Sequence, residues 1–131
     1  MDRETAQEWL NRYVDAWLSY DTDDIAALFS HDVLYRYSPF DEPIVGRDAV
    51  VASWQGEGAP GDNSTRDSPG TYEASYAPVA VDGGTVVATG TSRYRDQPEG
   101  PIVRTYENCF VLQFDLDGRC RAFTEYYQRR P

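Results

Sequence analysis

Residues 102–128 read IVRTYENCFVLQFDLDGRCRAFTEYYQ, two long strands on either side of Asp115-Leu116-Asp117-Gly118-Arg119. That central segment fits a three-residue hairpin loop, a type I turn closed by Gly118 in the left-handed conformation. Residue 115 then pairs with 119, and the register runs back along both strands. Val111 falls opposite Phe123, Cys109 opposite Glu125 and Glu107 opposite Tyr127, all on the face that carries Arg121. Phe110, Leu112 and Phe114 take the other face with Cys120, Ala122, Thr124 and Tyr126. Strand side chains alternate with a period of two, so a loop one residue longer or shorter exchanges these face partners.

This register makes Glu107 and Glu125 diagonal neighbours. Two carboxylates in an apolar cavity push one pKa up and supply an acid and a base. The competing arrangement is ion pairing with arginines such as Arg121 or Arg93. Cys109 and Cys120 fall on opposite faces, far apart along the ladder. That excludes an intrachain disulfide and leaves two packed thiols.

Upstream, strands at 71–81 and 84–95 complete a meander of three hairpins with 102–115 and 119–128. Its other turns hold Asp82-Gly83-Gly84 and Pro98-Glu99-Gly100-Pro101. Residues 3–20 carry Ala6, Leu10, Tyr13, Val14 and Trp17 at three- and four-residue steps, which predicts a helix, with Thr5 and Glu8 as a capping box. Asp21 caps a second helix over about 22–30, and His31-Asp32 ends it. Val33 to Ser38 is a strand, and Pro39 and Pro43 bound a turn. A third helix runs from Gly46 to about Trp54. Residues 56–70 form a loop rich in glycine, either mobile or a lid. The fold class is α+β, with the helices covering one face of a curved antiparallel sheet.

Composition narrows the function classes. The 131 residues suit one domain of roughly 14 Å radius of gyration. Hydrophobic residues are 40% and aromatics 14%, as in a packed chain with amphipathic ring-lined surfaces. Twenty-two acids against 12 arginines give a net charge of −10, and lysine is absent. No Schiff-base or P-loop lysine can exist. Such a charge repels phosphate backbones and anionic membranes, so neither nucleic acid nor membrane is an expected partner. No 18-residue apolar run occurs, and the N-terminus does not resemble a signal peptide, so a cytoplasmic location is expected. Asn63-Ser64-Thr65 matches a glycosylation acceptor by accident on that reading. Two cysteines and one histidine do not make a Cys/His zinc site.

The stretch Leu28-Phe29-Ser30-His31-Asp32-Val33-Leu34-Tyr35 is followed by a proline-rich turn and Gly46-Arg47-Asp48-Ala49-Val50. Together with the ending Asp117 to Tyr127, it resembles the NTF2-like superfamily, in the branch of SnoaL-like cyclases and limonene epoxide hydrolases. The resemblance extends over nearly the whole chain. It implies a cystatin-like cone of three N-terminal helices on a curved sheet, a deep apolar pocket, and a homodimer through the outer sheet face. An aromatic and an acid two residues apart on the hydrolases' last strand correspond to Phe123 and Glu125. The first-strand Tyr and Asn that hold water there correspond to Tyr35 and Tyr37, so the Asn is missing. The hydrolases' Asp/Arg pair falls near Thr91 and Arg93, where no Arg-x-Asp stands. The His–Asp couple of the cyclases has His31 as its only histidine.

Three functions follow. The first is a cofactor-independent acid/base enzyme of isomerase, dehydratase or cyclase type acting on a small apolar or aromatic substrate. Glu125 would transfer the proton, and Tyr35 and Tyr37 would orient the substrate. Trp17, Trp54, Arg93, Glu107, Cys109, Phe123 and Tyr127 would line the site, with no metal. The second is a ligand-binding module without catalysis. The third is a dimerisation domain using Phe110, Leu112 and Phe114 on the outer face. Structural alternatives stand beside these: Trp17, Trp54, Tyr35 and Tyr37 as core packing, Arg93 on a solvated face, and His31 at the surface.

Overall fold

The computed structural model describes residues 1–56 and 66–131. Most of the expected loop 56–70, its possible role as a lid, and the Asn63-Ser64-Thr65 motif lie outside the described residues. Helix α1 spans Arg3–Ser19, α2 Thr22–Ala26 and α3 Arg47–Trp54. The strands are β1 Phe29–Arg36, β2 Ile44–Val45, β3 Tyr72–Asp82, β4 Thr85–Arg95, β5 Ile102–Phe114 and β6 Cys120–Arg129. They form one sheet in the order β2-β1-β6-β5-β4-β3.

Local chemistry explains most of the boundaries. Asp2, rather than a Thr5–Glu8 box, caps α1 by accepting the Thr5 N–H at 2.8 Å. The helix stops at Tyr20, which adopts the left-handed conformation with φ 52°. Asp21 caps α2 as expected, accepting from Asp23 and Asp24. That helix ends at Ala26 and not near residue 30. Phe29 begins β1 instead, because β1 pairs in parallel with β6, with Tyr35 opposite Phe123 and Leu34 opposite Ala122. The sheet is therefore mixed and not wholly antiparallel.

The last hairpin turns as its sequence dictates and then departs from the expected register. Gly118 is left-handed at φ 84°, Asp115 N–H donates to the Arg119 carbonyl at 2.8 Å, and Phe114 lies opposite Cys120. One step later Gln113 lies opposite Ala122, so Arg121 is an extra residue, a β-bulge. Beyond it Leu112 pairs with Phe123 and Phe110 with Glu125. The bulge lets Cys120 and Phe123, three residues apart, both point into the core, which strict alternation forbids. Phe110, Leu112 and Phe114 are buried in that core. They do not form an outer dimerisation face, which corrects that expectation.

Aromatic rings fill the interior between the helices and the sheet. Phe123 is sandwiched between Tyr35, at 4.4 Å and 5°, and Tyr13, at 5.6 Å and 18°. Trp54 packs edge-on to Tyr13, Trp17, Phe29 and Tyr35. Trp9 anchors α1 by donating from Nε1 to the Leu28 carbonyl at 3.0 Å. Gly90 lets β3 and β4 close over this core, since a Cβ there would sit 2.1 Å from the Ser75 carbonyl oxygen.

Candidate functional site

Where the ring-filled core ends, the sheet and α1 leave a pocket of about 310 Å³. The inner faces of three strands supply its wall: Ser92 and Tyr94 from β4, Arg104, Tyr106 and Asn108 from β5, and Glu125 and Tyr127 from β6. Trp17 of α1, Tyr37 beyond β1 and Asp67 complete it. The pairings Ser92–Tyr106 and Asn108–Tyr127 hold the strand positions together.

Glu125 is the acid at the centre of this arrangement. It keeps some contact with solvent through the pocket, but the surrounding protein desolvates it and pushes its carboxyl up to about 7. Among the described residues no arginine pairs with it. The hydroxyls of Tyr13, Tyr35, Tyr72, Tyr76 and Tyr94 are all pushed up, first by burial and further by the Glu125 charge. A carboxyl poised near neutrality in a ring-lined pocket can both take and return a proton.

The other polar groups are held in place. Asn108 Nδ2 donates to Ser92 Oγ at 2.9 Å and to Tyr76 Oη at 3.3 Å. Trp17 Nε1 donates to Asp67 Oδ2 at 2.7 Å, and the Asp67 N–H donates to Tyr20 Oη at 2.7 Å. Burial raises the Asp67 carboxyl, while the Trp17 bond and the positive charge of Arg104 draw it down. Tyr37 Oη shares a hydrogen bond with Ser53 Oγ at 2.9 Å. Among the described residues no group of three or more His, Cys, Asp or Glu side chains is placed to hold a metal.

Residues 10–123 match the SnoaL-like domain family. The chain belongs to that family. A structure from Kribbella flavida DSM 17836, described as a candidate ketosteroid isomerase, aligns with TM-score 0.68 at 18% identity, over 99% of this chain and 82% of the other. An NTF-2 like protein of unknown function from Burkholderia xenovorans LB400 aligns with TM-score 0.67 at 18% identity, over 95% and 84%. At these identities the likeness is one of fold. No curated protein matches the sequence.

Within this SnoaL-like domain, four of the residues expected at the site line the pocket: Trp17, Tyr37, Glu125 and Tyr127. Three others lie in the core. Tyr35, Trp54 and Phe123 are fully buried in the aromatic core and do not line the pocket. Among the described residues the Tyr35 hydroxyl and the Trp54 indole N–H have no hydrogen-bond partner of good geometry, although the Tyr35 hydroxyl lies near Tyr13 and Trp54. The remaining three are on the opposite sheet face. Arg93 is exposed there, Glu107 is tied to Arg130 and Thr91, and Cys109 packs beside Glu107 and Tyr126. The bulge at Arg121 is the cause: it places Glu107 and Cys109 on the side away from Glu125, so the two glutamates do not form a pair. His31 is exposed on β1 and does not line the pocket. The reading of the sequence missed Ser92, Tyr94, Arg104, Tyr106, Asn108 and Asp67. Five of these alternate on β4 and β5 in step with Phe110 and Leu112, a pattern readable once those two are known to face inward. Asp67 carries no local signal, since its partner Trp17 is fifty residues away.

Proposed function

We propose that this pocket is the acid/base site of a proton-transfer enzyme, of isomerase, dehydratase or cyclase type, acting on a small, flat, partly apolar molecule. The observation that carries the reading is Glu125, a desolvated carboxyl near neutrality with no ion-pair partner among the described residues, aimed into an aromatic pocket. Ionised Glu125 removes a proton from a substrate C–H beside a carbonyl. The C–H electron pair moves into the adjacent π system, and the carboxyl now holding the proton returns it to another carbon, so that atoms balance and the double bond shifts. Trp17 and Tyr127 offer apolar ring surface to the substrate. The Asn108–Ser92–Tyr76 hydrogen bonds fix the polar wall beside it. A candidate ketosteroid isomerase among the structural neighbours supports this reading.

A second reading, ligand binding without turnover, is favoured by the burial of Tyr35, which keeps its hydroxyl out of the pocket lining. Deuterium exchange separates the two readings. In heavy water the protein should speed deuterium incorporation next to the carbonyl of small aryl ketones, followed by proton NMR. Glu125→Gln should lower that rate by about 10²- to 10⁴-fold. Exchange that is equally fast in the variant would overturn the assignment of Glu125.

A further inference from the structure

We infer that the pocket selects ligands bearing a carboxylate, with Arg104 as the residue that binds it. The inference rests on reading this pocket as the working site, and it adds the substrate class. Arg104 lies at the pocket wall with its guanidinium carbon 4.6 Å from the centre of the Tyr94 ring and 6.0 Å from that of Tyr106. The guanidinium lies over the Tyr94 ring, and a cation–π contact leaves its N–H groups able to donate elsewhere. Their contact with Tyr106 is long, Nη1 to Oη at 3.5 Å. No carboxylate among the described residues lies within ion-pair distance of Arg104. Asp67, which feels its charge, is bound to Trp17 instead. The pocket thus holds a cation with no ion-pair partner among the described residues, while most of the protein's other charge is negative.

Two carboxyls and several rings in one pocket also suggest the opposite ligand, an organic cation. Arg104 argues against it. The rings best placed to cradle a cation, Tyr94 and Tyr106, already hold one. A ligand ammonium would meet like charge at the wall. A carboxylate there gains a forked, charge-assisted pair of hydrogen bonds, and its flat apolar body can lie along Trp17 and Tyr127. A volume of about 310 Å³ is at the small end for such sites, which suits a single-ring acid.

Three probes decide the matter: cinnamate, its neutral isostere cinnamamide, and benzyltrimethylammonium, titrated by ligand NMR and calorimetry. Cinnamate should bind about tenfold or more tightly than cinnamamide, since a hydrogen bond to a charged group outweighs a neutral one. Benzyltrimethylammonium should bind weakest. Arg104→Gln should abolish the preference for cinnamate over cinnamamide, and Arg104→Lys should keep part of it. Arg104 is exposed, so both variants should fold, and circular dichroism checks this. Equal binding of acid and amide, preference for the cation, an unchanged ratio in Arg104→Gln, or no binding of cinnamate would each overturn the inference. Loss of deuterium exchange with the cinnamate preference intact would instead count against proton transfer alone.

Discussion

Glu125→Gln is expected to silence proton transfer and, at the same time, to make the protein more stable above neutral pH. The carboxyl sits at about 7 in the folded chain, against 4.5 in the unfolded one, because burial penalises its charge. The folded state therefore binds more protons than the unfolded state between those values. By linkage, the contribution of Glu125 to stability is fully present below about pH 4.5 and is lost as pH rises through about 7. Once ionised it opposes folding by up to about 3 kcal/mol, and by less where solvent in the pocket screens it. Glutamine has a similar shape and no charge to desolvate. Urea titrations from pH 4.5 to 8.5 should show the difference between variant and wild type growing in the variant's favour as pH rises. A difference that stays flat across that range would mean that Glu125 is solvated like a surface carboxyl. A residue that costs stability and is nonetheless present in the pocket is the pattern expected of a site selected for activity.

Phe110→Ala should cost about 3–5 kcal/mol, whereas Val111→Ala, one residue along the same strand, should cost about 1 kcal/mol or less. Phe110 is fully buried and touches the rings of Tyr13, Tyr76 and Phe123. Val111 points to the other face of the sheet, opposite Thr124. In a domain whose whole stability is about 5–15 kcal/mol, the first change removes a large share and the second almost none. The comparison tests which face of β5 turns inward. With Phe123 held in the core, a ladder without the bulge would set Val111 rather than Phe110 on its side, and Val111 would be the costly position. Equilibrium unfolding in urea reads both values, and the reverse ranking would refute the register that puts Glu125 beside Asn108 and Ser92.

Much of the architecture was legible because it is written locally. Gly118 after Leu116-Asp117 fixes the hairpin loop, Asp21 fixes the start of α2, and the spacing of Ala6, Leu10 and Tyr13 fixes the buried stripe of α1. What was not legible depends on distant partners. Ile25, Leu28 and Phe29 continue a helical spacing, yet parallel pairing with β6 draws Phe29 into β1. The bulge at Arg121 answers a demand of the assembled core, that Cys120 and Phe123 both face inward, and no turn chemistry announces it. This one residue explains the division of the expected site. Glu125 and Tyr127, C-terminal to the bulge, reach the pocket, while Glu107 and Cys109 on the partner strand turn away from it. Tyr35 and Phe123 were expected at the site and are instead buried in the aromatic core, where they stack on each other.

The charge state of Glu125 decides whether this pocket can move a proton near neutral pH. Carbon-13 NMR of protein labelled at glutamate side chains, with Glu125→Gln to assign the resonance, gives its titration midpoint. A midpoint near 7 is expected. A midpoint in the ordinary carboxylate range, near 4.5, would contradict it and remove the basis for acid/base chemistry in this pocket.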